Sequence, residues 1–149
     1  MNENDRSVVV LSGGMDSTTA LYVAIGESAP IALSFDYGQR HRKELKSAAL
    51  ICADLGIEHH IIDLTSLTQL IATSALTDPN HQVPEGHYAD DNMKQTVVPN
   101  RNAIMANIAI GVAVARKARY VFLGVHAGDH AVYPDCRPEF IDSLQSLAE

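Results

Sequence analysis

The feature that most constrains this chain is a short glycine and hydroxyl segment, residues 12–17, directly after an apolar run. The run at residues 8–11 has the β-branched composition of a strand that is buried on both faces. Paired glycines let a backbone approach a ligand closely, and the first N–H groups of the following helix have no partner within the helix. With the positive end of the helix dipole, these groups form a site for an anion such as phosphate. The alternative is an ordinary Gly-Ser turn between a strand and a helix.

Asp16 is the unusual residue of this segment, because a carboxylate repels a phosphate bound beside it. The arrangement makes sense if Mg²⁺ lies between them, since this cation prefers carboxylate and phosphate oxygens. The segment has no lysine after its glycines, as G-x-x-x-x-G-K-[ST] requires, and it does not fit G-x-G-x-x-G. Its pattern, S-G-G-x-D-S, resembles instead the pyrophosphate loop of the ATP pyrophosphatases, which cleave ATP between its α and β phosphates.

Composition argues against several classes of protein. The chain has 149 residues, 46% hydrophobic and 19% charged, as expected for one soluble globular domain. The apolar stretch at residues 103–115 is too short to span a bilayer, and the acidic N-terminus is not a signal peptide. A net charge of −7 disfavours a protein that binds RNA or DNA by itself. Two cysteines, Cys52 and Cys136, do not make a disulfide framework, so we expect a cytoplasmic protein without membrane or nucleic-acid partners.

Strand and helix patterns alternate along the chain, which predicts an α/β fold with a parallel sheet. In the first helix, Leu21, Ala24 and Ile25 are predicted to share the buried face, and Cys52 to pack as a small hydrophobe in the second. Residues 73–95 are polar and aperiodic and form a long loop. His59 and His60 are interpreted as surface residues. Strands are predicted at residues 8–11, 30–36, 59–64 and 120–125, and helices at 16–25, 40–55, 65–71, 100–117 (apolar and central) and from 138 onward.

Polar motifs follow three of these strands, where ligands bind in parallel sheets. After the second strand, at residues 35–41, Arg40 or the nearby Arg42 could meet a phosphate, or these could be solvated charges in a loop that starts a helix. After the fourth strand, His126, Asp129 and a second histidine could bind a metal or move protons, or lie half-exposed in a loop. Asp135 and Arg137 could bracket a polar heterocyclic substrate, or belong to a connector bounded by prolines.

The start of the apolar helix carries a further polar group. Asn100 is explained as an N-cap residue. Capping does not explain Arg101 or Asn102, and an arginine in the first turn faces an unfavourable helix dipole. We therefore expect an anionic partner for Arg101.

Together these motifs, with residues 124–140, make the chain similar to the 7-cyano-7-deazaguanine synthase family of the ATP pyrophosphatases. The resemblance covers essentially the whole chain. It implies one domain over residues 1–149, with the parallel-sheet α/β/α sandwich of the adenine-nucleotide alpha-hydrolase-like type. It also implies an ATP-dependent ligase of queuosine biosynthesis, which uses Mg²⁺ and converts 7-carboxy-7-deazaguanine and ammonia to a nitrile through an activated carboxylate and an amide. A homodimer is expected from the same resemblance.

The resemblance assigns roles to residues by their position. Asp16 and Arg101 are predicted to be catalytic, with Asp16 holding Mg²⁺ through a phosphate. The predicted ATP-binding residues are Leu11, Ser12, Gly13, Gly14, Met15, Asp16, Ser17, Thr18, Phe35, Arg40 and Gly124. The predicted substrate-binding residues are Asn100, Arg101, Asn102, His126, Asp129, Asp135 and Arg137.

Zinc is the main departure from the family. Its members carry a four-cysteine zinc site near the C-terminus, and this sequence has only two cysteines. The last predicted helix also has no stop signal. We therefore expect zinc in the full-length family, no zinc ligands in this chain, and a natural protein that continues into the zinc-binding segment.

Two other interpretations remain open at the level of sequence. One is another ATP pyrophosphatase, either an amide-forming synthetase or a tRNA-modifying enzyme, although RNA versions would need a basic surface. The other is a non-enzymatic nucleotide-binding module of the universal-stress type, which places its phosphate glycines late in the chain.

Overall fold

The chain folds into strands and helices that alternate along the sequence, and the predicted α/β class is confirmed. A computed structural model describes residues 5–38, 42–71, 101–125 and 138–149. The strands are β1 (Arg6–Val10), β2 (Ala29–Asp36), β3 (Glu58–Asp63) and β4 (Tyr120–Phe122). The helices are α1 (Met15–Glu27), α2 (Arg42–Leu55), α3 (Thr65–Ile71), α4 (Arg101–Arg116) and α5 (Pro138–Ala148). Most predicted bounds agree within two residues, but β4 ends at Phe122 rather than at residue 125, and the loop predicted at 73–95 lies outside the described residues.

The four strands form one parallel sheet in the order β3-β2-β1-β4. The chain runs outward from β1 through β2 to β3 and then returns to the other side of β1 for β4. The direction of winding therefore reverses between β1 and β4. In open parallel sheets the crevice at such a reversal, beyond the carboxyl ends of the strands, is where ligands bind.

Helices cover both faces of the sheet, which confirms the predicted α/β/α sandwich. Val9 and Leu11 pack with residues of α1 and α2 on one face. Val8 and Val10 pack with α4 on the other. All four of these side chains are at most 8% exposed, so the strand segment is buried on both faces as predicted.

Two predictions about helix faces are wrong. Leu21 and Ala24 are buried, but Ile25 is 38% exposed, and Ser17 completes the buried face of α1 instead. The apolar helix α4 is not central: it lies on one face of the sheet, and Val114 is 75% exposed. Its contact surface consists largely of small residues, which let it lie close to β1. No helix in the described ranges is long and apolar enough to cross a membrane.

Candidate functional site

A cavity of about 120 Å³ opens at the carboxyl edge of the sheet. This volume is far above the roughly 10–15 Å³ that one water molecule needs. The cavity lies where β1, β2 and β4 end and where α1, α2 and α4 begin, so three helix N-termini surround it. Its lining consists of Val10, Leu11, Ser12, Ser17, Phe35, Tyr37, Glu44, Leu45, Arg101, Asn102, Met105, Leu123, Gly124 and Val125.

The glycine and hydroxyl segment forms a closed loop held by two serines. The Ser12 and Ser17 hydroxyl oxygens are 2.9 Å apart, and the Ser12 N–H donates to the Ser17 hydroxyl at 3.0 Å. The Gly14 N–H donates to the Ser12 hydroxyl at 3.2 Å. The Thr18 hydroxyl donates to the Gly14 carbonyl at 2.7 Å, within the first turn of α1. The two ends of the loop are thus tied together by its own side chains.

Two glycines let neighbouring elements close on this loop. Gly13 has a φ of +88°, in the left-handed region, and a Cβ there would overlap the Glu44 carbonyl oxygen at the start of α2. A Cβ at Gly124, just after β4, would lie 2.6 Å from the backbone N and Cα of Ser17. The loop and the first turn of α1 are therefore clamped between α2 and the exit of β4. A side chain at either glycine would force backbone to move.

Arg101 lies at the opposite wall of the cavity, in the first turn of α4. Its Nη1 donates to the Tyr37 hydroxyl at 3.0 Å, and its guanidinium carbon is 5.1 Å from the centroid of the Tyr37 ring. These two contacts hold the guanidinium at the cavity wall. Glu44 also lines the cavity.

Asp16 is exposed in the first turn of α1, beside the loop. Across the described part of the chain, no three or more His, Cys, Asp or Glu side chains are grouped so that they could hold a metal ion alone. Mg²⁺ bound mainly by phosphate oxygens needs only one or two protein carboxylates. The single carboxylate of Asp16 fits that kind of cation.

The structure brings twelve of the eighteen predicted site residues together around the loop and cavity. Leu11, Ser12, Ser17, Phe35, Arg101, Asn102 and Gly124 line the cavity. Gly13, Gly14, Met15, Asp16 and Thr18 form the loop and the first turn of α1 without lining it, and the Met15 side chain is 82% exposed. Arg40, Asn100, His126, Asp129, Asp135 and Arg137 lie outside the described residues. The roles of all these residues stay predictions.

Sequence reasoning missed several lining residues. Tyr37 lies within the motif at residues 35–41, and its position directly after β2 was the available signal. Glu44, Leu45 and Met105 lie near the N-terminal ends of predicted helices. No local pattern marks them, because the strand order decides which helix ends face the cavity.

The geometry defines an α/β protein with a parallel sheet and a glycine and hydroxyl loop directly after an interior strand. The U34-tRNA thiolase NcsA from Methanococcus maripaludis shares this fold, with a TM-score of 0.57 over 87% of this chain and 41% of that one. At 21% sequence identity, this likeness shows the fold alone. A family model described as queuosine biosynthesis protein QueC matches residues 6–149. The chain belongs to the QueC family.

Curated relatives in this family are similar over nearly the whole chain. A 7-cyano-7-deazaguanine synthase of Marinomonas sp. (strain MWYL1) is 50% identical over 98% of this chain and 67% of its own length. That of Pseudoalteromonas translucida (strain TAC 125) is 53% identical over 95% of this chain and 65% of its own length. The chain thus spans about two thirds of the length of these relatives, and the family resemblance predicted from the sequence is confirmed.

Proposed function

We propose that this chain carries the ATP-binding and carboxylate-activating site of a 7-cyano-7-deazaguanine synthase. The observation that carries the proposal is the clamped loop of residues 12–17 at the point where the winding of the sheet reverses. Its helix N-terminus and N–H groups suit a polyphosphate. Membership of the QueC family and the names of the relatives support the particular substrate.

The proposed reaction has two activation steps. A carboxylate oxygen of 7-carboxy-7-deazaguanine attacks the α-phosphorus of ATP, and pyrophosphate leaves. Ammonia then attacks the acyl carbon, AMP leaves with the C–O bond electrons, and a proton is lost to give the amide. The amide oxygen attacks the α-phosphorus of a second ATP. Loss of AMP and of two protons from nitrogen yields the nitrile.

The residues of the cavity suit the charges that this reaction develops. Ser12, Ser17 and the loop amides would stabilise charge on the departing pyrophosphate, because these donors are fixed before the reaction. Arg101, oriented by Tyr37, would attract an anionic group from the opposite wall. Phe35 and the apolar lining residues would exclude water from the activated carbonyl. Asp16 would hold Mg²⁺, which when bound neutralises phosphate charge.

The remaining assignments concern the substrate and the assembly. Asn102 lies on the cavity wall beside Arg101 and would contact the deazaguanine edge. The other proposed substrate-binding residues are Asn100, His126, Asp129, Asp135 and Arg137, and Arg40 is a proposed contact of ATP. We further propose that the protein is a cytoplasmic homodimer and does not bind nucleic acid. The net charge of −7 supports the absence of nucleic-acid binding. No zinc ligand is proposed within this chain.

The test is ATP turnover by the full-length protein, resolved into AMP with pyrophosphate against ADP with phosphate. It is run with and without 7-carboxy-7-deazaguanine and ammonium. Asp16→Ala is compared with Asp54→Ala, which removes an exposed carboxylate near the far end of α2. AMP formation that requires the acid and is lost only in Asp16→Ala supports the proposal. ADP formation, or AMP formation that ignores the acid, refutes it.

A further inference from the structure

A chain of hydrogen bonds runs beneath the phosphate-binding loop, from β3 through β2 to the end of β1. The His59 Nε2 atom is 2.7 Å from the Ser34 hydroxyl oxygen. The Ser34 hydroxyl donates to the Leu11 carbonyl at 2.6 Å. Ser34 is completely buried and His59 is half-buried in β3, so His59 is less exposed than an ordinary surface residue. No role in the proposed reaction has been given to Ser34 or His59.

The direction of these hydrogen bonds follows from the inventory of donors. A serine hydroxyl has one proton, and a carbonyl can only accept. Ser34 therefore gives its proton to Leu11 and must accept from His59. This assigns the proton of the neutral imidazole to Nε2. Burial lowers the pKa of His59, and the nearby His60 lowers it further, which agrees with a neutral ring.

The chain of bonds ends at the residue that enters the loop. The Leu11 N–H donates to the Leu33 carbonyl at 2.8 Å, so β2 holds both backbone polar groups of Leu11. Ser12, the next residue, contacts Ser17 through both its N–H and its hydroxyl. The contacts are therefore continuous from His59 to the first turn of α1. A shift of the Leu11 carbonyl would move the donors of the loop.

We propose that Ser34 and His59 are positioning residues for the phosphate-binding loop. The His59 Nε2–H to Ser34 hydroxyl to Leu11 carbonyl relay fixes the backbone at the loop entrance, and thereby the Ser12 and Ser17 donors. Neither residue lines the cavity. The proposal rests on the proposed function, because the loop must bind ATP for its position to matter in turnover.

The competing explanation is that the two residues only stabilise the fold, since a buried hydroxyl needs partners wherever it lies. Three variants separate the two explanations. Ser34→Ala removes the relay, and His59→Leu removes its donor. His59→Gln keeps an N–H donor at nearly the position of Nε2. His60→Leu is the matched control, since His60 is an exposed neighbour whose ring contacts Glu58 at 2.7 Å.

Two measurements are made on each full-length variant: the dissociation constant for ATP, and amide hydrogen exchange at residues 11–18 without nucleotide. Losing one hydrogen bond in Ser34→Ala or His59→Leu should weaken ATP binding roughly three- to tenfold. Both variants should also exchange faster in the loop. His59→Gln and His60→Leu should match the wild type in both. The double variant Ser34→Ala with His59→Leu should bind ATP no more weakly than Ser34→Ala alone, because His59 acts on the loop only through Ser34.

The proposal is overturned if His59→Gln is as impaired as His59→Leu. It is also overturned if the melting temperature falls while ATP affinity and loop exchange stay at wild-type values. If Ser34→Ala does not fold, the two His59 variants decide. A wild-type protein that binds no ATP would refute the proposed function. The exchange measurement would still decide whether Ser34 and His59 position the loop.

Discussion

The Gly124→Ala substitution tests the clamp around the loop of residues 12–17, which is proposed to bind phosphate. A Cβ at this position would lie 2.6 Å from the backbone N and Cα of Ser17 and 2.7 Å from the carbonyl carbon of Asp16. All three atoms belong to the backbone at the start of α1, so no flexible side chain can turn away. The added methyl group must push α1 and the exit of β4 apart.

The size of the effect follows from these distances. An ordinary contact between carbon atoms is roughly 3.5 Å, so the gap must widen by about 0.9 Å. Overpacking of this kind costs roughly 1–3 kcal/mol of folding free energy, which lowers the melting temperature of a domain this size by about 2–12 °C. A displacement near 1 Å in a catalytic site can cost about 100-fold in rate. We therefore expect ATP turnover to fall by about 100-fold, while the protein still folds.

The assay compares Gly124→Ala with Gly26→Ala, by thermal unfolding and by ATP turnover of the full-length protein. Gly26 lies within α1, and a Cβ there meets nothing within 4 Å. Alanine should raise stability at that position by roughly 0.5–1 kcal/mol, through helix propensity, and leave turnover unchanged. If Gly124→Ala turns over ATP at the wild-type rate, then Gly124 does not hold the loop in place and the reasoning is refuted.

Three further predictions concern other residues of the sheet edge and core. Tyr37→Phe keeps the ring under Arg101 but loses the 3.0 Å hydrogen bond, so the KM for ATP or for the acid should rise by roughly 2–10-fold in steady-state kinetics. Because burial lowers the pKa of His59 in the folded state, the unfolded chain binds more protons below about pH 6.5. The free energy of unfolding from urea titration should therefore fall as the pH drops through that value. This decrease should be smaller in His59→Gln than in the wild type. Cys52 is 1% exposed and burial raises the pKa of its thiol, so Cys52→Ser should cost about 1–3 kcal/mol by thermal unfolding, and the native thiol should react slowly with an alkylating reagent.

Each of these predictions has its own contradicting result. Tyr37→Leu should have a higher KM than Tyr37→Phe, because it also loses the ring. If the wild type and Tyr37→Phe have the same KM, the hydroxyl does not orient Arg101. Parallel pH profiles for wild type and His59→Gln would remove His59 as the cause of acid sensitivity. Rapid alkylation of Cys52 in the native state would show that the core of α2 opens readily.

Local patterns in the sequence predicted the elements of the fold well. Helix α3 has its predicted bounds at residues 65–71, and the buried run at residues 8–11 forms β1 and its exit. These features depend on hydrophobic periodicity and on turn chemistry, which act between near neighbours. The prediction for Ile25 was wrong because the buried face of a helix also depends on distant segments that pack against it. In α1, Ser17 is buried next to the Gly124 backbone, and Ile25 is partly exposed.

The candidate site could be predicted only in part. Residues 12–17 were identifiable because glycines and hydroxyls between a strand and a helix have a direct physical use. Tyr37 and Arg101 lie 64 positions apart, and nothing in either segment indicates that they meet. The relay from His59 to Leu11 was also missed, since a histidine in a strand gives no sign of its cross-strand partner. Such contacts depend on which strands are neighbours.

By itself, the sequence determined the class of fold, the position of the glycine and hydroxyl loop and the family. These are properties of segments a few to about twenty residues long, and propensity, periodicity and motif chemistry are all expressed at that range. Only the tertiary structure decided the strand order β3-β2-β1-β4, which places the exit of β4 against the start of α1. The physical reason is that strand order is chosen by the packing of the whole sheet against its helices, and this energy does not belong to any one segment.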